Sequence, residues 1–315
     1  MSYLAVIGEA VADAFVQPKS LDGALDLRVR PGGSPANVAV ALARLGAPTR
    51  FIGRLSRGIV GELLRDHLVA SGVDVSWCVA AAEEATLAVT AVDVAGNASY
   101  DFYARGTADW EWTGDELASR RPTDAACVHV GSLALVLEPG ATHITNLLGT
   151  IRERVTISID PNVRQRLVPG ELYRERLAGW CALADILRLS DEDLATLAPG
   201  SSLEAACDDL HEAGVRLVVV TQGGRGALAS LDGVRVRMPA FAVEVVDTVG
   251  AGDSFTAGLL HWLWRHGRLA DAFKTLTVPD VENATRFAAR VAGLTCGVAG
   301  ADAPWANDLR QVSEP

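Results

Sequence analysis

Short apolar runs alternate along this chain with longer segments whose apolar residues recur at helical spacing. "LAVIGE" (4–9) reads as a first strand, apolar on both faces. "SPANVAVALARLG" (34–46) predicts a helix, with Ser34 as its N-cap and Gly46 as its stop. "TRFIGRL" (49–55) reads as a strand, and a helix near 60–71 ends at Gly72. The alternation returns in "ACVHVGSL" (126–133), "VTISIDPN" (155–162), "ADILRLS" (184–190) and "RLVVVTQGG" (216–224), each preceded by a helical stretch. Strands apolar on both faces must be covered on both, so the pattern predicts an α/β protein with a mainly parallel central sheet between helical layers.

Two segments break the rhythm. "ALDLRVRP" (24–31) and "ATLAVTAVDVAGNASYDFYA" (85–104) alternate with period two, the second around a Gly96-Asn97 turn. Alternation marks strands with one wet face. They predict a small exposed β-sheet with strands from about 10–31 and 85–108, attached to a single domain spanning 1–315. No long linker, repeat or low-complexity tract divides the chain.

Composition narrows the partners. The chain has 315 residues, 49% of them hydrophobic, and a formal charge of −11. Only two basic residues, Lys19 and Lys274, are lysines, and no basic run appears, which argues against nucleic acid and anionic membranes. No apolar stretch approaches the roughly 20 residues of a membrane span. The N-terminus enters a strand at once without a basic leader, so a cytoplasmic location is expected. The five cysteines form no CxxC pair and the six histidines no ligand-spaced pair, so neither points to a metal. Trp262 and Trp264 read as packing. Trp110 and Trp112, beside the small sheet, read as packing or as contacts with substrate or a partner chain.

Any anion must therefore be held locally. No GxxxxGK[ST] motif occurs, which excludes a P-loop. "GRGALA" (224–229) fits a dinucleotide fingerprint, but alternating strands around Asp232-Gly233 follow where that site needs a helix, so its glycines shape a turn. "DTVGAGDSFTAG" (247–258) is different. Gly250, Ala251 and Gly252 stand immediately before a helical pattern running from Asp253 to Arg265. The first turn of a helix offers unpaired N–H groups and the positive end of the macrodipole, so small residues there can bind phosphate without a lysine. Asp253 could simply cap that helix. A carboxylate beside an anion-binding loop also suits phosphoryl transfer to an alcohol, which needs a base for the acceptor and donors for the transferred group.

These stretches resemble a known family. "DTVGAGD" resembles the C-terminal signature of the ribokinase-like (pfkB) sugar kinases, and "GGSPANVAVALARLG" (32–46) the N-terminal one. The resemblance implies a three-layer α/β/α fold with a small β lid, ATP and Mg2+ as cofactors, and K+ as an activator. By position it implies Asp253 as catalytic base, with the amides of Gly250, Ala251 and Gly252 as the anion hole. It implies Asp13, Gly32, Gly33 and Asn37 at the sugar hydroxyls, and Asp247 and Thr248 at the monovalent-cation site. "VVTQGGRGAL" (219–228) resembles the nucleotide-binding strand and turn, which implies Thr221, Gly223 and Gly226 near the phosphates or ribose. "RFAARVAGLTCGVAGA" (286–301) resembles the helix lining the adenine pocket, with Ala289 where ribokinases carry asparagine. The magnesium-linked N-x-x-E motif reads here as Ser190 to Asp193, with Asp193 able to reach a metal-bound water.

Within the family, "HVGSLAL", "DPNVR" and "FYARGTADW" are most similar to bacterial fructokinases, and also to 2-keto-3-deoxygluconate kinases. Ser34-Pro35 after the glycine pair argues against ribose. Arg105 is expected to project toward the sugar and Arg164 to carry phosphate charge, the latter with a surface salt bridge as its plain alternative. Asp160 and Asn162 would orient the Arg164 loop, and Asp109 would repel a sugar acid. The expectation is a fructose kinase. The 2-keto-3-deoxygluconate, ribose and nucleoside kinases are its alternatives, and a non-catalytic sugar or nucleotide sensor is the reading outside enzymes. The exposed lid edges could meet in a homodimer.

Overall fold

The computed structural model describes residues 2–17, 24–92 and 98–311. β1 (Leu4–Ile7) leads into β2 (Val11–Val16) and β3 (Leu27–Gly32), followed by α1 (Ser34–Arg44), β4 (Thr49–Ile52), β5 (Arg54–Ser56), α2 (Ile59–Ala70), β6 (Val79–Ala81), β7 (Leu87–Val92) and β8 (Ala98–Tyr103). After α3 (Gly114–Ala118) come β9 (Cys127–Gly131), α4 (Gly140–Ile151), β10 (Thr156–Asp160), α5 (Gly170–Cys181), β11 (Ile186–Ser190), α6 (Asp191–Leu197), α7 (Leu203–Glu212) and β12 (Leu217–Thr221). The hairpin β13 (Ala227–Leu231) and β14 (Val234–Met238) precedes α8 (Ala251–Arg265), α9 (Val278–Cys296) and α10 (Ala306–Gln311).

The large sheet has eight strands in the order β14-β13-β12-β11-β10-β9-β1-β4. It is parallel from β4 to β12, and only β13 and β14 run antiparallel at one edge. Alternate side chains feed two cores. Val128, Val130, Ile157, Ile159, Leu187 and Leu189 pack with Trp112, Tyr173 and Trp180 on one face. Val6, Ile186, Leu217 and Val219 pack with Leu259, Leu260 and Leu263 of α8 and with Ala284 and Ala288 of α9 on the other. Each such aliphatic side chain, fully buried, contributes about 1.5–3 kcal/mol. The result is a three-layer α/β/α sandwich, as the apolar runs required.

The period-two segments form a separate four-stranded sheet, β3-β2-β7-β8, with β3 and β8 at its edges. The Gly96-Asn97 turn lies outside the described residues. A buried carboxylate ties this lid to the main domain: Asp109 accepts the Ala10 amide at 3.0 Å and the Thr86 hydroxyl at 2.7 Å. Burial pushes its pKa up to about 6. Asp109 therefore pins the entries to β2 and β7, and the expectation that it repels a sugar acid loses its footing. Trp110 and Trp112 are likewise buried, at 3% and 1% exposure, so they are packing residues. "TRFIGRL" is two strands, because the chain leaves the large sheet at Gly53 and β5 pairs with β6 instead.

Candidate active site

α8 begins on a left-handed residue, Gly250 at φ 75, where a Cβ would stand 2.6 Å from that of Ala301. Only glycine takes this conformation readily. The Ala251 amide donates to the Thr248 carbonyl at 3.2 Å, which removes it from the expected anion hole. The amides of Gly250, Gly252 and Asp253 make no hydrogen bond among the described residues, so the first turn of α8 still presents donors and its dipole.

Asp253, in that first turn, is buried at 9% exposure between α8 and α1. Its Oδ1 accepts the Ser34 hydroxyl at 2.6 Å and its Oδ2 the Asn37 amide at 2.8 Å. Ser34 was expected as the N-cap of α1, but Gly33, at φ 96, holds that position. Ser34 and Pro35 fill the first helical turn, where proline's fixed φ suits the helix, and this turns the serine hydroxyl toward Asp253. Burial raises the Asp253 pKa, while the hydrogen bonds from Ser34 and Asn37 pull it down.

That balance makes a prediction. A general base must be unprotonated, and the Ser34 hydrogen bond favours the charged carboxylate. Ser34→Ala should make Asp253 hold its proton to higher pH, so the acid limb of the kcat profile moves upward. A limb that stays in place would show that another group sets it.

Asp13 on β2 lies on the same side. Burial pushes it up to about 6, with the Asp253 charge also raising it and Arg164 lowering it. Gly32 leaves it room, since a Cβ there would lie 2.2 Å from Asp13 Oδ2. Arg164 is exposed on the loop after β10 and makes no ion pair among the described residues, so the surface salt bridge does not form. Its charge acts on both Asp13 and Asp253. As expected, the turn beneath that loop is held by Asp160, whose Oδ1 accepts the Asn162 amide at 3.1 Å. The structure thus brings Asp13, Gly32, Gly33, Asn37, Arg164 and Asp253 together.

A cavity of about 580 Å³ opens beside the start of α8, lined there by Arg188, Thr221, Ala251 and Gly252, and along α9 by Ala289, Ala292, Gly293 and Cys296. Gly223, Gly226 and Thr248 complete the expected residues on its wall. Its volume suits a cofactor-sized ligand, and α9 lines it with small residues.

Other expected residues stand elsewhere. Arg105 is exposed after β8 and makes no hydrogen bond or ion pair among the described residues. Asp193 closes a capping box on α6: Oδ2 accepts the Ser190 amide and hydroxyl, and Oδ1 accepts the Val163 amide at 2.8 Å. Asp247 ties two loops by accepting the Val249 amide at 3.1 Å and the Gly300 amide at 2.8 Å. Partial burial raises its pKa, but these bonds together hold it below the usual range.

Sequence reasoning missed the roles of four residues. The Ser34 bond to Asp253 joins residues 219 apart in sequence, which no local pattern reveals. Phe241 and Val243 line the cavity from an irregular segment without periodicity. Arg188 lies buried within β11, and its signal was visible: one charge inside the apolar run "ILRLS".

The sequence profile of the pfkB family carbohydrate kinase matches residues 1–308 of this chain. The fructokinase of Klebsiella pneumoniae is 38% identical over 269 residues, which span 83% of this chain and 84% of that protein. The structure of fructokinase from Xylella fastidiosa with bound ATP matches with a TM-score of 0.86 at 29% identity, covering 96% of this chain and 94% of that one. A fructokinase double mutant from Vibrio cholerae O395, solved in a fructose-, ADP- and potassium-bound form, matches with a TM-score of 0.81 at 28% identity and the same coverage.

Proposed function

This chain belongs to the pfkB family of carbohydrate kinases and is an ATP-dependent sugar kinase, and from that premise we propose that its acceptor is fructose. The likeness to the Klebsiella pneumoniae fructokinase over most of both chains carries that choice. The acceptor end supports it, since Asp13 and Asp253 stand there together, with Arg164 acting on both and Arg188 on Asp253. Two carboxylates suit the hydroxyls of a neutral sugar and oppose the carboxylate of a sugar acid.

In this reading ATP fills the cavity between α8 and α9, with its base against Ala289 and Gly293 and its phosphates toward Gly252. Thr221, Gly223 and Gly226 flank the ribose and phosphates. Asp13 and Asn37 hold the sugar, Gly32 and Gly33 let it approach the backbone, and the lid excludes the water that would otherwise take the phosphoryl group. Asp253 accepts the proton of a primary hydroxyl, and the amides at the start of α8 meet the charge of the phosphoryl group in transit.

Magnesium would supply charge neutralisation on the phosphates. No cluster of three or more His, Cys, Asp or Glu able to hold a metal occurs among the described residues. Both Asp193 oxygens are taken within the protein, so the phosphates themselves would be the ion's main ligands. Potassium would bind at the loop of Asp247 and Thr248 and stiffen the approach to α8.

The test is ADP release from MgATP with fructose, 2-keto-3-deoxygluconate, ribose and adenosine, each with and without potassium. Fructose should lead in kcat/KM by at least ~10-fold, within the range that a pocket built around hydroxyls can discriminate. A lead for the keto acid would move the acceptor to sugar acids and give Arg164 its carboxylate.

A further inference from the structure

The cavity wall holds one arginine with a buried donor that is left unpartnered among the described residues. Arg188, 5% exposed, is the only cation on the cavity wall among the described residues. Its Nη1 donates to Asp160 at 2.8 Å and its Nη2 to Thr221 at 2.6 Å, while its buried Nε finds no partner among the described residues. The guanidinium lies directly against the first turn of α8, for a Cβ on Gly252 would stand 2.8 Å from Nη2 and 3.0 Å from Nη1.

Arg54, the other deeply buried arginine, shows what a purely structural arrangement looks like. Two carboxylates, Glu83 and Glu116, grip its Nη groups, and the Ala108 carbonyl accepts its Nε. Arg188 hydrogen-bonds one carboxylate, Asp160, which also accepts the Thr256 hydroxyl at 3.4 Å and the Asn162 amide at 3.1 Å, while Asp193 and Asp253 act on its charge from further off. A buried cation is costly unless it is paired and fully hydrogen-bonded. What sets Arg188 apart from Arg54 is this unpartnered Nε donor, in a guanidinium that lies against the first turn of α8 on the cavity wall.

Building on the sugar-kinase reading, we propose that Arg188 contacts the ATP phosphates and neutralises the charge that gathers on the departing ADP. As the sugar oxygen bonds to the γ-phosphorus, its proton passes to Asp253. The bond between that phosphorus and the bridging oxygen breaks, and its electron pair leaves with ADP. Arg188 is already locked by Asp160 and Thr221, so it meets that charge without rearranging. Asp160 and Thr221 are positioning residues, and Gly252 is a glycine so that the guanidinium can reach the amides.

Arg188→Gln, Arg188→Lys and the double variant Arg188→Gln/Asp160→Asn test this against the wild type. Loss of one preorganised donor at developing charge predicts that Arg188→Gln loses about 100-fold or more in kcat. The fructose KM should barely change, because Arg188 lies on the nucleotide side. Arg188→Lys should recover part of the loss, and the double variant should regain thermal stability without regaining kcat. A second readout needs no sugar: the preference of the protein for Mg-AMP-PNP over AMP should shrink by roughly 10-fold in Arg188→Gln, the scale of a charged hydrogen bond. Near-normal kcat in the double variant, or an unchanged preference in Arg188→Gln, would overturn the proposal. If the wild type ignores fructose, the choice of sugar fails by itself, and the analogue preference still decides the role of Arg188.

Discussion

Asp253→Asn is expected to lower kcat by at least ~100-fold, the scale of losing a general base, while sugar and nucleotide still bind. The reasoning starts from the surroundings of the carboxylate. It is buried, burial raises its pKa, and the Ser34 and Asn37 donors, with the Arg164 charge, favour the charged form. An asparagine has nearly the same shape, so the cavity walls stay where they are. It cannot take a proton from a hydroxyl, and its own amide hydrogens oppose one of the two donors. The variant should be no less stable than the wild type, because a desolvated carboxylate is replaced by a neutral group. The measurement is kcat by ADP release, beside calorimetric binding of fructose and MgATP and a thermal melt. A turnover near that of the wild type, in a protein that still binds both substrates, would remove Asp253 from proton transfer.

How much of this was legible beforehand depended on how far apart the cooperating residues lie. The apolar runs around Val128, Ile157, Leu187 and Val218 required a sheet buried on both faces, and it is one. The period-two segments required a partly wet sheet, and the lid is one. The turn that opens α8 was readable because helix start, glycines and carboxylate are contiguous. The capping role given to Ser34 failed because its true partner, Asp253, comes from another helix. Asp109 was misread for a related reason: the nearness of "RGTAD" to the lid says nothing of the direction in which its carboxylate points. It points inward, to Ala10 and Thr86. Arg105, also judged by nearness to the lid, stands in solvent.

Gly226 shows how a residue can line a cavity for a structural reason, and it carries the second large prediction. It was expected near the nucleotide and does line the cavity. Its backbone has φ 93, and a Cβ would stand 2.0 Å from the Met238 carbonyl oxygen and 2.8 Å from the Ala240 amide nitrogen. Both are main-chain atoms, so no side chain can swing aside. The start of β13 or the chain leaving β14 must move instead. Left-handed strain and overpacking each cost about 1–3 kcal/mol, so Gly226→Ala should lose about 3–5 kcal/mol of stability. For a chain of this size that lowers Tm by roughly 5–10 °C. Gly223 is the internal control. It also has positive φ, 53, and lines the same cavity, but a Cβ there would meet nothing within 4 Å. Gly223→Ala should therefore cost only about 1 kcal/mol from backbone strain. The Gly226→Ala shift should also raise the KM for ATP, because Ala240 lines the same cavity, in which we propose that ATP binds, while kcat at saturating ATP changes little. Equal melting temperatures for the two variants would show that the hairpin yields to the extra methyl, and that the close approach to Met238 does not constrain this turn.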